Sequence, residues 1–200
     1  MIVYVETNFL LELALAQEHT QAASELLVLA TQRAFTLVIP SFALSEAFST
    51  LAQRERNRRS LQNNLSQHLR DLRRSAPHQS AAAALEPLLE FLQGLEREEF
   101  GRLQQAVGQI LATAHIVEFN TDVYALALRT EERFGLSPQD AIVYASVLHH
   151  LRSRPSDKPK IFVSTNFKDF EDPDLVAELH AHGCRYEVSF EACLAQVRPT

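Results

Sequence analysis

The apolar positions of this chain fall into short continuous runs that are separated by longer stripes with helical spacing. Short apolar runs are typical of strands that are buried on both faces of a parallel sheet. Five of them are predicted: Ile2–Val5, Thr36–Ile39, His115–Phe119, Ile161–Ser164 and Arg185–Val188. Helices are predicted at about 9–16, 20–34, 41–75, 80–114, 121–134, 137–151 and 175–182. The alternation predicts an α/β fold of three layers, with a mostly parallel central sheet and helices on both faces.

The segment from about residue 53 to residue 114 interrupts this alternation, because it is helical without an intervening strand. Ala76-Pro77 ends its first helix, and a kink or break is expected near Gly94. We interpret the segment as a helical insertion into a single domain that spans residues 1–200.

The composition excludes several broad classes of protein. Hydrophobic residues make up 46% and charged residues 22%, which is ordinary for a globular domain. No apolar stretch approaches the roughly 20 residues that span a bilayer, and the first predicted strand begins at Ile2 with no leader before it. The two cysteines, Cys184 and Cys193, are typical of a reduced compartment. A cytoplasmic protein without a membrane partner is therefore expected.

The formal net charge of −6 conceals an uneven distribution. From Arg54 to Arg74 there are seven arginines and two acids, a net charge of +5, so the remaining residues carry −11. Lys and Arg bind nucleic acid through its phosphates. Candidate RNA-binding residues are Arg54, Arg56, Arg58 and Arg59. The alternative is a solvated helix face or salt bridges to the acidic stretch Glu96–Glu99.

Four acidic residues occupy equivalent positions relative to the predicted strands: Glu6, Glu46, Asp140 and Asp169. In open parallel sheets, functional sites lie beyond the carboxyl ends of the strands, where these residues are expected. Converging carboxylates repel one another unless cations neutralise them, and oxygen ligands suit Mg²⁺ or Mn²⁺. The sequence therefore predicts one divalent-metal site that hydrolyses a phosphodiester. Three neighbours, Thr7, Asn8 and Asn166, are candidates to orient the carboxylates or a water.

Three of the four acids also have a local structural explanation, and Glu46, on a mainly apolar helix face, is harder to explain in that way. Glu6 can accept hydrogen bonds from the amides that begin the next helix, and Ser137 with Asp140 fits a capping box in which Pro138 takes the first helical position. Asp169 can be an exposed loop acid. A zinc site, a Ser-His-Asp triad and a Gly-rich phosphate loop have no matching spacing in the chain. One shared cation site explains the four acids more economically.

Four stretches of the chain, taken together, resemble the PIN-domain family of metal-dependent nucleases, which includes VapC-type ribonuclease toxins. They are VYVETNFLLEL, IPSFALSEAF, LSPQDAIVYASVL and IFVSTNFKDF, and they cover about residues 1–52 and 115–190. The resemblance implies a Mg²⁺- or Mn²⁺-dependent endoribonuclease, with Glu6, Glu46, Asp140 and Asp169 as metal ligands and catalytic carboxylates. It also implies RNA as the substrate and a toxin–antitoxin context. An antitoxin protein and a second copy of the chain are the protein partners to test.

Two positions depart from the family pattern. Glu6 stands where the family usually has Asp, and Asn166 stands where many relatives have an acid. These departures favour an alternative function, a PIN-like domain with weak catalysis that acts in RNA binding or protein scaffolding. A phosphoryl-transfer enzyme or a receiver-type regulator fits less well, because both usually need an Asp after the first strand.

Overall fold

The structure, a computed structural model, describes residues 1–166 and 170–198. In chain order, strands β1 to β5 are Ile2–Tyr4, Thr36–Pro40, His115–Val117, Lys160–Val163 and Cys184–Glu187. In the same order, helices α1 to α9 are Thr7–Leu15, Thr20–Thr31, Ser41–Arg73, Gln79–Ala84, Glu86–Thr113, Thr121–Phe134, Pro138–Ser153, Pro173–Ala181 and Phe190–Val197. A 3₁₀ turn at Ala76–His78 lies between α3 and α4.

The five strands form one parallel sheet in the order β3-β2-β1-β4-β5. Val3 of the central strand β1 is in register with Leu37 of β2 and Ile161 of β4. The prediction of a mostly parallel central sheet is confirmed, and every strand pair is in fact parallel.

Alternate residues of the strands face two separate apolar clusters, since successive side chains of a strand point to opposite faces of the sheet. Val3 and Val5 belong to the cluster that α1, α2, α5 and α9 cover. Ile2 and Tyr4 belong to the cluster that α6, α7 and α8 cover. The three-layer prediction is therefore confirmed. Cys184 and Cys193 are free and buried, and they lie in different clusters.

Two details of the helical prediction are wrong or incomplete. The break expected near Gly94 does not occur, because α5 is continuous through that residue. The helix is interrupted instead at Leu85, between α4 and α5. Pro87 lies two residues later, and its ring clashes with the preceding turn of a continuous helix. Helix α9 was not predicted. Ser189 caps it by accepting a hydrogen bond from the amide of Ala192 at 3.2 Å.

The predicted insertion consists of two parts with different burial. Within residues 54–99, only Leu69 and Ala82 are buried. The end of α5 belongs to the core instead, since Leu103, Ala106 and Ile110 join the cluster that contains α1. The division into one domain with an insertion stays a prediction. Among the described residues, no helix is both long enough and apolar enough to cross a bilayer.

Candidate functional site

Three of the four predicted acids lie near one another at the carboxyl edge of the sheet. Glu6 follows β1, Glu46 lies in the second turn of α3 after β2, and Asp140 lies in the first turn of α7. The negative charges of Asp140 and Glu46 both act to raise the pKa of Glu6. Asp140 has the same effect on the pKa of Glu46. We call the place that these three carboxylates share the acidic crevice.

Glu6 is a buried carboxylate that caps α1. Its Oε2 accepts a hydrogen bond from the backbone N–H of Asn8 at 2.8 Å, and its Oε1 accepts one from the hydroxyl of Ser164 at 3.0 Å. The side chain is only 5% exposed, and this burial is the largest cause that raises its pKa from 4.5 to about 7. The two hydrogen bonds lower the pKa, while the two neighbouring carboxylates raise it further. The charged form of Glu6 is therefore costly in the folded protein.

Glu46 is half-buried and is held by α1. The hydroxyl of Thr7 donates a hydrogen bond to Glu46 Oε2. Burial raises the pKa of Glu46, the Thr7 hydrogen bond lowers it, and the charge of Asp140 raises it. Thr7 of α1 thus holds a carboxylate that belongs to α3.

Asp140 is both a helix-capping residue and a member of the acidic crevice. The hydroxyl of Ser137 accepts a hydrogen bond from the Asp140 amide at 3.1 Å and donates one to Asp140 Oδ2. The side-chain amide of Asn166 donates to Asp140 Oδ1 at 3.2 Å. The cap fixes the start of α7, and the charge of the same carboxylate raises the pKa of both Glu6 and Glu46.

Ser164 was missed as a site residue by the sequence analysis. Its hydroxyl donates to Glu6 and accepts a hydrogen bond from the backbone N–H of Asn166 at 2.9 Å, so it connects two of the predicted positions. The sequence did contain a signal for Ser164. It directly follows β4, just as Glu6 lies close after β1, so both residues belong to the carboxyl edge of the sheet. Asn8 contributes its backbone N–H to Glu6. Asp169 lies outside the described residues.

The oxygen-donor chemistry of the acidic crevice fits a hard divalent cation. Like-charged carboxylates raise one another's pKa there, and such groups are stabilised when a cation joins them. In residues 1–166 and 170–198, however, no three His, Cys, Asp or Glu side chains are grouped so that they can hold a metal ion. The three carboxylates described above instead accept hydrogen bonds from hydroxyl and amide groups.

Two of the four predicted RNA-binding arginines form ion pairs within the chain. Arg58 contacts Glu99 at 2.8 Å, and Arg59 contacts Glu96 at 2.6 Å. Both arginines also pair with Glu55 of their own helix. For these two residues, the structure therefore shows the alternative considered from the sequence, salt bridges to the Glu96–Glu99 stretch.

The other two predicted arginines have a different environment. Arg56 donates a hydrogen bond to Gln53 at 3.1 Å. Arg54 is exposed and forms no ion pair with any residue that the structure describes. Contact between these two residues and RNA stays a prediction.

The chain is similar to a known family and to chains of known structure. A family model described as PIN domain matches residues 3–170. No curated protein sequence matches the chain significantly. The chain is similar to a chain in the crystal structure of VapBC2 from Rickettsia felis bound to a DNA fragment from their promoter, with 15% identity and a TM-score of 0.45. That alignment covers 94% of this chain and 99% of the other.

Proposed function

We propose that this chain, which belongs to the PIN-domain family, is a Mg²⁺- or Mn²⁺-dependent endoribonuclease that acts as the cytoplasmic toxin of a toxin–antitoxin pair. PIN domains are generally nucleases. The observation that carries the proposal is the convergence of Glu6, Glu46 and Asp140, from three different elements, on one place where their charges disfavour one another. The mutual repulsion of these charges costs stability in the absence of a cation, so a cationic ligand is the simplest explanation of their convergence.

In this proposal Glu6, Glu46, Asp140 and Asp169 hold the cation. When bound, a divalent cation supplies Lewis acidity, which activates water and stabilises the charge that develops on the scissile phosphate. Thr7 and Ser164 keep Glu46 and Glu6 oriented through their hydroxyl groups. Asn166 orients Asp140 through its side-chain amide. These hydrogen bonds pre-organise the carboxylates, so that less conformational freedom is lost when the cation binds.

The test is cleavage of a mixed RNA pool by the wild type and by Asp140→Asn, with Mn²⁺ and with EDTA. Asn keeps the size of the side chain and can keep the contacts with Asn166 and Ser137, so the fold is expected to persist. The variant should lose at least about 100-fold in rate, as is typical when a group that stabilises developing charge is removed. Its affinity for Mn²⁺, measured by titration calorimetry, should fall as well.

Asp122→Asn is the matched control, because Asp122, like Asp140, is an acid in the first turn of a helix. It does not contribute to the pKa shifts of Glu6 or Glu46. This variant should cleave like the wild type. Cleavage that survives EDTA, or that persists fully in Asp140→Asn, would overturn the proposal.

The antitoxin requires a separate test, which is inhibition. The gene adjacent to the one that encodes this chain should specify a small protein that forms a stable complex with it. RNA cleavage should stop when the two proteins are mixed in equal amounts. If the adjacent product neither binds nor inhibits, the toxin–antitoxin part of the proposal is wrong, while the nuclease part is unaffected.

A PIN-like domain with weak catalysis, acting in RNA binding or protein scaffolding, is the second candidate. It is favoured by the extra methylene of Glu6 and by the hydrogen bonds that the described carboxylates already accept. Glu6→Asp separates the two functions, because it restores the acid that is usual in the family. If Glu6 is a tuned ligand, shortening it should reduce cleavage. If the wild type is a degenerate nuclease, the same change should raise cleavage from near zero.

A further inference from the structure

Three aromatic side chains form a group at the carboxyl edge of the sheet, beside the acidic crevice. Phe42 lies in the first turn of α3, Phe119 follows β3 by two residues, and Tyr124 lies in the first turn of α6. The ring centroids of Phe42 and Phe119 are 6.3 Å apart, and those of Phe119 and Tyr124 are 5.8 Å apart. We call these three side chains the aromatic ledge.

Hydrogen bonds hold the elements of the ledge together. The backbone N–H of Phe119 donates to the hydroxyl of Ser41, the first residue of α3, at 3.0 Å. Asn120 caps α6, because its side chain accepts a hydrogen bond from the backbone N–H of Val123 at 3.0 Å. These two contacts fix the loop after β3 against the start of α3, so the fold itself positions the rings.

The ledge begins one helical turn from the acidic crevice. Phe42 and Glu46 are four residues apart on α3, so they share a face of that helix, with about 5–6 Å between their Cβ atoms. Strand β3 is next to β2 in the sheet, so Phe119, just beyond β3, continues the same edge away from β1. A polymer that is bound at the crevice and follows this edge therefore meets the ledge.

The two outer rings of the ledge are open to solvent. Tyr124 is 51% exposed and Phe119 44%, while Phe42 is partly buried and packs on the apolar cluster under α6 and α7. Among the described residues, Phe91 is the one other aromatic side chain that is largely exposed. It lies on residues 54–99, which we call the hairpin, where the second half of α3 runs antiparallel to the first half of α5.

The size of the ledge fits a nucleobase better than a protein. A whole aromatic side chain buries about 150–250 Å², so two rings that are about half exposed offer on the order of 200 Å². Leu128, one turn further along α6, is also exposed and extends this area only slightly. A specific protein interface needs about 800 Å² from each partner. An unpaired base is flat and covers an area of the size that the ledge offers.

The charges around the ledge favour a base over a phosphate. Glu118 and Asp122, on either side of Phe119 in the chain, are exposed. Their negative charges disfavour a phosphate at the ledge, whereas a nucleobase is neutral and stacks through its π-face. Aromatic side chains bind the unpaired bases of single-stranded RNA in this way.

We propose that the aromatic ledge stacks on an unpaired base of single-stranded RNA whose neighbouring phosphate lies at the acidic crevice. The inference rests on the proposed function, because the ledge holds the substrate of the same site. Every base has a π-face, so the ledge contributes affinity and position and does not select a sequence.

Binding of single-stranded RNA tests the ledge apart from cleavage, in an Asp140→Asn parent so that the RNA stays intact. Phe119→Leu removes the ring and keeps an apolar side chain. Its affinity, measured by fluorescence anisotropy, should be at least about 5-fold weaker, the lower end for the loss of one stacked base. The slope of log affinity against log salt should not change, because no phosphate contact is removed.

Phe91→Leu is the matched control, since it removes an exposed ring of the same type from the hairpin. The ion pairs between α3 and α5 place Phe91 about level with Gln67 of α3. At 1.5 Å per residue, Gln67 is about 30 Å from Glu46 along the helix. This variant should bind RNA like the parent protein. Far-UV circular dichroism checks that both variants fold.

An abasic RNA of the same length shows whether the ring of Phe119 acts through a base. Removal of the bases should weaken binding to the parent at least about 5-fold more than binding to Phe119→Leu, because the variant has no ring at that position to stack on them. Phe91→Leu should lose as much affinity as the parent. Equal losses in all three proteins would show that the ring of Phe119 contacts no base, and the proposal would be wrong.

A direct signal comes from Phe119→Trp, since the chain contains no tryptophan. A base that stacks on the introduced indole should quench its fluorescence, while Phe91→Trp should show no such change. Quenching that is absent in Phe119→Trp, or equal in both variants, would overturn the proposal. If Phe119→Leu keeps its RNA affinity but weakens the complex with the protein encoded by the adjacent gene, the ledge is a protein-docking surface and the proposal is overturned as well.

The outcome for the ledge is distinguishable from the outcome for the nuclease, because the ledge is tested by binding and the nuclease by cleavage. Metal-dependent cleavage by the wild type, together with unchanged RNA binding by Phe119→Leu, would refute the ledge alone. Weakened binding by Phe119→Leu, together with no cleavage by the wild type in Mn²⁺, would refute the nuclease alone.

Discussion

The acidic crevice and the base of the hairpin contain carboxylates in opposite surroundings. At the hairpin, Glu96 and Glu99 lie 2.6 Å and 2.8 Å from the guanidinium nitrogens of Arg59 and Arg58. In the crevice, Glu6 accepts hydrogen bonds from Ser164 and Asn8, and none of the described lysines or arginines pairs with it. The hairpin glutamates are neutralised by the chain itself, so their function is structural. In the proposed function, the carboxylates of the crevice instead serve to bind a cation.

The largest expected difference between the two regions is in the rate of RNA cleavage. Glu46→Gln should lose at least about 100-fold, since a charge that faces the reacting phosphate is removed. Glu99→Gln removes a carboxylate of the same type from the hairpin and should leave the rate unchanged. Single-turnover cleavage of an RNA oligonucleotide with Mn²⁺ measures both variants. Equal losses would show that the two sets of carboxylates are not functionally distinct.

The second prediction concerns the stability of the metal-free protein. The folded pKa of Glu6 is raised from 4.5 to about 7, so between these values the native state binds more protons than the unfolded state. The free energy of unfolding should therefore fall as the pH rises through this range. Glu6→Gln removes this contribution and should be more stable than the wild type at pH 8, by up to about 3 kcal/mol.

Urea titrations in EDTA at several pH values measure this effect. Glu99→Gln is the control that should not gain stability at pH 8. Addition of Mn²⁺ should stabilise the wild type at pH 8 more than it stabilises Glu6→Gln, because a cation compensates the charge of Glu6. If Glu6→Gln is less stable than the wild type at pH 8, the hydrogen bonds from Asn8 and Ser164 stabilise the charged form of Glu6, and the prediction is wrong.

The third prediction removes charge from the hairpin. The side chain of Arg58 is 13% exposed, as is that of Glu99, so Arg58→Gln leaves a partly buried carboxylate without its partner. The cost should be about 2 kcal/mol, less than that of a fully buried pair because water still reaches these groups. Arg56→Gln changes a neighbouring exposed arginine and should have little effect. Thermal unfolding measures both, and equal stability of the two variants would contradict the prediction.

The difference between the two regions was only partly visible in the sequence. Glu6 and Asp140 could be placed at one edge of the sheet, because each follows a recognisable strand or helix start. The partners of Arg58 and Arg59 could not be assigned, since the contact depends on which face of α5 meets α3 and on the continuity of α5 through Gly94. The hydrogen bond from Ser164 to Glu6 joins residues 158 positions apart. No local pattern specifies such a pair.

The smallest expected effect concerns RNA affinity and separates the paired arginines from the others. Among the described residues, Arg54 and Arg56 form no ion pair and Arg56 hydrogen-bonds Gln53, so both can release counterions when phosphates bind. Arg54→Gln with Arg56→Gln should flatten the slope of log affinity against log salt by about 1.4, at about 0.7 for each phosphate contact with a single strand. Arg58→Gln with Arg59→Gln removes the same formal charge, but these guanidinium groups already contact glutamates. That pair of changes should alter the slope less. Fluorescence anisotropy with a single-stranded RNA, in an Asp140→Asn background so that the RNA stays intact, measures both slopes. If both double variants flatten the slope equally, the ion pairs open when RNA binds, and the hairpin glutamates are not the permanent partners that the structure describes.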